Sequence, residues 1–354
     1  MFLRGAASGF PGKPSGRTGG LPVAGRHRDE SHQFQRDFVR ASSASGRRRC
    51  RCFLHAAWFQ FRHFILLACD KTLDYFIFFS MPLTAVRHVR KMRGGAQAHL
   101  LEADDGNWYV VKFRNNPQHR RILINELLAA AFLNYLQIPS PKIALVQITD
   151  GFLSANPEVH LSLGSRSIPV DPGWHFGSQY PGDPARTAVY DFLPDSLLPK
   201  VVNLEAFRAV LVFDKWAANA DGRQCVFYRA MVRRGEGGKP GFVTRMIDHG
   251  FAFNGPNWDF PDSPLQGLYA RNLVYDSVRS LDDFQPWLDQ VVHFPEEVMD
   301  AALRSVPAAW LEREEDALVQ LLECLYGRRR RVPELIESCR SCRSNPFPNW
   351  KQLK

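Results

Sequence analysis

The chain has 354 residues, 45% hydrophobic and 12% aromatic, which is room for two or three domains of about 150 residues and for a full hydrophobic core. Its formal charge of +9 is unevenly placed: residues 1–80 hold 13 Lys and Arg against 5 Asp and Glu, whereas residues 81–354 hold 32 against 31, so the main body carries no nucleic-acid signature. Seven cysteines form an odd set with no clean secretory signal, which points to reduced thiols in a cytoplasm, and the lone pair Cys339-x-x-Cys342 falls short of the roughly four ligands of a structural zinc.

Residues 1–49 mix Gly, Ser, Arg and Pro without periodicity, the composition of a segment that cannot bury a core. From Cys52 to Phe79 the chain turns apolar, but Arg62, Asp70, Lys71 and Asp74 interrupt it. No run therefore reaches the roughly 18–20 residues of a membrane span, and no membrane partner is expected. Arginine, serine and scarce acids also suit a transit peptide, yet ordinary composition begins at Met81, and residues 1–80 are read as a disordered or mis-assigned N-terminal extension.

From Met81 the pattern is strand-like. Val86 to Arg90 and His99 to Glu102 flank the polar glycine turn Arg93-Gly94-Gly95-Ala96-Gln97, and Asp104-Asp105-Gly106-Asn107 marks a hairpin turn into Trp108–Phe113. An antiparallel sheet of at least three strands is expected. Lys112 is the polar residue of that last strand, and it faces either solvent or a cleft. His119 to Gln137 reads as an amphipathic helix stopped by Pro139-Ser140-Pro141, and Lys142 to Thr149 resumes as a strand. Glu126 lies among the apolar positions of that helix, where an acid must be paired or turned to water, and a lysine on the preceding strand is a candidate partner. Residues 150–186, rich in Gly, Pro and Ser, are read as a loop insertion, with His175-Phe-Gly177-Ser178-Gln179 as a surface turn and Thr187–Leu193 as a linking strand.

After Pro199 the chain favours helix. Leu204, Phe207, Val210, Leu211 and Trp216 support one from about Asn203 to Ala218, broken by Asn219-Ala-Asp221-Gly222. Cys225–Met231 and Gly241–Ile247 form a hairpin that ends in Asp248-His249-Gly250, and Gly255 to Gly267 is a loop. Pro295-Glu296-Glu297 opens a helix, and further helices run to about Tyr326 and from Pro333 to about Cys342. Arg328 to Arg331 reads as a solvated cluster at a helix end.

Phosphoryl transfer needs hard oxygen ligands for a divalent metal, a cation on the phosphates and a group that orients the accepting hydroxyl. Asp248 can supply the metal ligand, Asp221 the orienting carboxylate, Lys112 the cation and Glu126 its holder. Gly94 and Gly95 leave room for backbone N–H groups to approach phosphates. Asp214 is either a scaffold acid paired with Arg223 or an exposed helix aspartate, and His249 is read as a donor to a neighbouring carbonyl.

The order of these features carries the specificity: Gly94-Gly95, Val111-Lys112-Phe113, Asn125-Glu126, Phe213-Asp214-Lys-Trp216, Asn219-Ala-Asp221-Gly-Arg223-Gln224, and Ile247-Asp248-His-Gly250. In it the chain resembles the HipA-like kinases, which share the protein-kinase fold. That resemblance implies an α+β, two-lobed molecule with ATP and Mg2+ between the lobes: a small antiparallel-sheet N-lobe with one helix (81–195, including the 150–186 insertion), a mostly helical C-lobe (196–345) and a tail (346–354). It implies Lys112 on nucleotide phosphates, Asp221 as the catalytic aspartate and Asp248 as the metal aspartate. The family places an asparagine five residues after the catalytic aspartate. Val226 stands there, so Gln224 or Asn219 is the substitute metal ligand through an amide oxygen.

The expected function is therefore ATP-dependent transfer of a phosphoryl group to a hydroxyl of a protein or small molecule. Val226 favours an alternative, a nucleotide-binding pseudokinase that acts as a partner-binding module. A nucleic-acid regulatory role, suggested by family members that work with a DNA-binding antitoxin and by the arginine-rich N-terminus, finds no helix-turn-helix or RNA-binding motif in residues 81–354.

Overall fold

The computed structural model describes residues 82–232 and 239–351; the readings made for residues 1–80 and for the hairpin tip at 233–238 lie outside them. The first strands follow the alternating pattern closely: β1 (Leu83–Lys91), β2 (His99–Ala103) and β3 (Trp108–Lys112) pair antiparallel in sequence. They do not stop at an open sheet. β4 (Ile143–Ile148) pairs parallel with β1, and β7 (Gly173–Gln179) pairs antiparallel with both β3 and β4, closing a five-stranded barrel in the order β1-β2-β3-β7-β4.

Two sequence readings are corrected here. The sheet is mixed and closed rather than simply antiparallel, and residues 150–186 are largely structured: a short helix α2 (Asp150–Ala155), the hairpin β5 (His160–Leu163) and β6 (Arg166–Pro169), and then β7. The reason β7 was hidden is its composition, Gly-Trp-His-Phe-Gly-Ser-Gln, with glycines that read as turn residues. Gly177 is instead a point of close approach, because a Cβ there would lie 2.7 Å from Val146 Cγ2 on the neighbouring strand β4.

The supposed surface turn also holds a buried histidine. His175 Nδ1 accepts the Arg114 backbone N–H at 2.9 Å and Nε2–H donates to the Asp171 carbonyl at 2.9 Å, with the ring edge-on to Phe113. Burial lowers its pKa from 6.5 to about 4, so the unfolded chain takes up the proton first. The stability is present in full above pH 6.5 and is lost as pH falls through the window down to about 4. Between pH 7 and pH 5 this one ring is expected to remove about 2 kcal/mol. Urea unfolding at the two pH values measures the loss, and His175→Gln should flatten the slope; equal stability of the parent at both values would contradict the assignment.

The interior of the barrel is one apolar cluster built from alternate strand positions, among them Leu101, Tyr109, Val111 and Val146. Tyr109 and Val111 point inward, so Lys112 projects the other way. There it meets α1 (Arg121–Tyr135), the helix expected at 119–137. That helix is not amphipathic: every residue from Ile122 to Leu133 is buried, because barrel and helices pack on it from different sides.

The remainder is mainly helical: α3 (Ala206–Trp216), α4 (Trp287–Val292), α5 (Glu296–Ser305), α6 (Ala308–Leu311), α7 (Glu315–Arg328) and α8 (Val332–Arg340). Their shared core runs through Phe132, Phe213, Trp216, Phe294 and Leu325. A three-stranded antiparallel sheet joins the hairpin that follows α3 to a short strand that precedes it, in the order β10 (Lys239–Ile247), β9 (Gln224–Val232) and β8 (Val189–Tyr190). None of the helices among the described residues is long and apolar enough to cross a membrane.

The arginine cluster is corrected too. Arg328 and Arg329 are buried: Arg328 donates to the Trp216 carbonyl at 2.9 Å and pairs with Asp262 at 2.7 Å, while Arg329 donates to the Phe294 carbonyl at 2.9 Å. Arg328 caps the carbonyl end of α3 and pins the 255–267 loop to the helical core, while Arg329 ties the chain after α4 to the same core.

Candidate active site

Three charged residues far apart in sequence converge where the barrel meets α1. The Lys112 ammonium donates to Glu126 Oε1 and, at 2.7 Å, to Asp248 Oδ1. The open question about Lys112 and Glu126 is thereby answered: β3 aims one and α1 the other at the same point. Exposure is graded across the cluster, with side chains 3% exposed at Glu126, 10% at Lys112 and 31% at Asp248. The lysine and glutamate form a sealed base, and Asp248 is the member presented outward.

The electrostatics are those of one cation shared between two anions. Burial works to lower the Lys112 pKa, but Asp248 and Glu126 outweigh it and hold the ammonium above the ordinary lysine range. Burial also opposes ionisation of Asp248, and Lys112 overcomes it, holding that carboxyl below the usual value. For Glu126 burial wins, and its pKa is raised despite Lys112 and the His249 N–H that it accepts at 3.0 Å. The negative charge is therefore in excess, and its influence extends to Asp221, whose pKa is raised by burial and then by the Asp248 charge.

Local backbone explains the placement of Asp248. The β9–β10 register pairs Ile247 with Gln224, so the chain leaves β10 beside the loop that carries Asp221. Asp248 itself takes φ +57, a left-handed turn that aspartate tolerates better than most residues. Gly250 follows because α1 is close: a Cβ there would lie 2.4 Å from Ile122 Cγ2.

The 219–224 loop is built on a buried pair. Arg223 donates to Asp214 through Nε at 2.8 Å and Nη2 at 2.5 Å, with both side chains fully buried, which settles the reading of Asp214 as a scaffold acid. Arg223 also donates to the Ile247 carbonyl at 2.8 Å and to His249 Nδ1 at 3.0 Å, so one guanidinium ties α3, β10 and the Asp248 segment together. Burial, then the Arg223 charge, holds His249 well below the ordinary histidine range; its Nε2–H donates to the Met246 carbonyl at 3.2 Å, and the ring is a neutral spacer. Over the pair lies Gly267 at φ +69, where a Cβ would come within 2.1 Å of Asp214 Cβ.

Asp221 is half-buried and accepts from Gln224 Nε2 at 3.1 Å, and Gln224 itself is exposed. Asn219 is corrected as a metal ligand. It is wholly buried, its Nδ2 donates to Asp214 at 3.0 Å and its Oδ1 accepts the Asp221 N–H at 3.2 Å, so it braces the loop from inside. Val226 shares the strand face of Gln224 by alternation, between the buried Cys225 and Phe227. Gly94 and Gly95 form the β1–β2 turn, where the Gly94 carbonyl accepts the Gln97 N–H at 3.2 Å. Among the described residues no hydrogen bond joins that turn to the Lys112 cluster.

One functional residue was missed in sequence, the role of Asn125 as a clamp. Its buried Nδ2 reaches the carbonyls of Gly250, Ala252 and Gly255 at 2.7–3.0 Å, and its Oδ1 accepts the Trp258 indole N–H at 2.8 Å. Arg121, one turn earlier, stacks on Trp258 and donates to the Pro256 carbonyl at 2.7 Å. The signal was present: two consecutive polar residues, Asn125 and Glu126, in an otherwise apolar stretch.

Comparison with known proteins places this geometry. A family profile for a HipA-like kinase matches residues 86–326. No curated protein matches the chain. Two crystal structures of the Golgi casein kinase are similar at TM-score 0.45: one at 12% identity, covering 78% of this chain and 76% of that one, and one with Mn/ADP bound at 13% identity, covering 89% and 90%. Both are too distant to transfer residue roles.

Proposed function

Because this chain belongs to the HipA-like kinase family, we propose that it is an ATP-dependent phosphotransferase acting on a hydroxyl of a protein or small molecule, with its site at Lys112, Glu126, Asp221 and Asp248. The observation that carries the reading is the sealed Lys112–Glu126 pair offering a partly exposed Asp248 beside the Asp221 loop.

The donor set fits a magnesium nucleotide. Two carboxylates, Glu126 and Asp248, meet one ammonium, Asp221 lies within reach of the Asp248 charge, and among the described residues no cluster of three or more His, Cys, Asp or Glu could hold a metal alone. Mg2+ is characteristically bound by one or two carboxylates together with phosphate oxygens, so Asp248, with the Gln224 amide oxygen in support, would hold it. When bound, the ion supplies neutralisation of phosphate charge. Lys112 would orient a phosphate oxygen while Glu126 keeps the ammonium in place. Asp221 would align the acceptor hydroxyl, a task in which position matters more than basicity when the transition state is loose.

The test is magnesium-dependent ATP consumption by the full chain. Asp221→Ala removes the group that aligns the hydroxyl, and turnover is expected to fall by about 10²-fold or more. A change under threefold would remove Asp221 from the reaction. Val226 supports a second reading, a nucleotide-binding pseudokinase that serves as a partner-binding module, since valine coordinates nothing. A thermal shift on adding Mg-ATP without any product is the outcome that would select it.

A further inference from the structure

The end of α8 carries two thiols that phosphoryl transfer does not use. Cys339 is fully buried in the last turn; Cys342 lies just beyond the helix, half-buried, with its N–H donating to the Cys339 carbonyl at 3.2 Å. The backbone therefore turns back on itself, which brings the two Cα atoms within about 7 Å, the range a disulfide spans. Cys342 Sγ also lies 2.9 Å from Ser344 Oγ. Beside them sits the buried Lys215, whose ammonium donates to the carbonyls of Ser263 and Pro264 at 3.2 and 2.8 Å and whose charge acts on both sulfurs. Neither cysteine is in a disulfide.

We propose that Cys342 and Cys339 are a reactive thiol pair: Cys342 attacks a hydroperoxide, and Cys339 resolves the product to an intramolecular disulfide. In the first step the Cys342 sulfur donates an electron pair to one peroxide oxygen as the O–O bond breaks, giving a sulfenic acid, with the leaving oxygen protonated to water or an alcohol. In the second the Cys339 sulfur displaces hydroxide from that sulfenic acid, and the Cys339 proton completes a water molecule. Two thiols lose two electrons and the peroxide gains them.

The environment divides the roles. Cys342 is the accessible sulfur, and the neighbouring Cys339 thiol, with Ser344 and Lys215 adding to it, holds its thiol down at about 5. The same contact, together with burial, raises Cys339, which keeps its proton until the resolving step. Low pKa, partial exposure and an adjacent second thiol are the features of redox-active cysteines. The site is independent of the phosphotransfer reading, and its test reads sulfur chemistry alone.

Trypsin cuts after Arg331, Arg340 and Arg343, so a Cys339–Cys342 disulfide holds peptide Val332–Arg340 to peptide Ser341–Arg343. Full-length protein treated with equimolar hydrogen peroxide, blocked with an alkylating agent and digested without reductant should yield this linked species as the main form, and reductant should separate it. Recovery of the two peptides unlinked would overturn the pair. In unoxidised protein, alkylation of Cys342 should change by less than about threefold between pH 8 and pH 6, where an ordinary thiol slows by about a hundredfold. A hundredfold loss at Cys342 would equally overturn the proposal. Cys342→Ser should abolish the link, while Cys339→Ser should leave a dimedone-reactive sulfenic acid at Cys342.

Discussion

Replacing Asp248 with alanine is expected to abolish ATP turnover, with a loss on the order of 10³-fold or more. The size follows from position. Asp248 is the outward member of the Lys112–Glu126–Asp248 cluster, and on our reading it is the carboxylate that meets the metal and phosphates. Removing one preorganised electrostatic contact in such a site typically costs about 10²–10³ in rate, and the loss of a metal ligand adds to that. The alanine also leaves Lys112 paired only with Glu126, so affinity for metal-free ATP should hold or rise while magnesium no longer strengthens binding. Calorimetric titration with and without magnesium, beside single-turnover transfer from labelled ATP, separates these effects. Turnover within threefold of the parent would remove Asp248 from the mechanism.

Asp214→Ala should produce the largest loss of stability, about 3–5 kcal/mol, because it leaves the Arg223 guanidinium buried without its anion. For a folded region of this size that is a fall of about 10 °C in Tm. Arg223 also holds Ile247 and His249, so the Asp221 loop and the Asp248 segment should loosen together, and turnover should fall even where the protein is still folded. The double variant Asp214→Leu, Arg223→Met removes both charges and is expected to recover much of the stability without the activity, since a buried ion pair replaced by apolar groups is often neutral. Chemical unfolding of the three proteins decides it: a loss below 1 kcal/mol in the single variant would show that the pair does not brace the fold.

The local chemistry of the chain was legible wherever a pattern is local. Strand alternation at Trp108–Lys112, the helix before Pro139 and the β9–β10 hairpin all follow from side-chain period and turn residues. So did the candidate acids and Lys112, because a charged residue in an apolar stretch must be satisfied or functional. β7 was not legible, since a strand that is glycine-rich yet hydrogen-bonded on both edges is recognised only by its partners β3 and β4. Nor was the burial of Arg328 and Arg329: four arginines in a row look solvated until α3 offers its carbonyls to Arg328 and Phe294 its carbonyl to Arg329.

The amino-acid sequence by itself determined the main elements outside residues 150–186, their order and the residue types able to handle phosphate, because these depend on neighbours a few positions away. Only the tertiary structure decided which acid Lys112 meets, that Asn219 is spent inside the loop while Gln224 faces out, and that Asp214 is a buried brace rather than a surface charge. Those choices rest on distances between residues as many as 136 apart in sequence, and packing alone sets them.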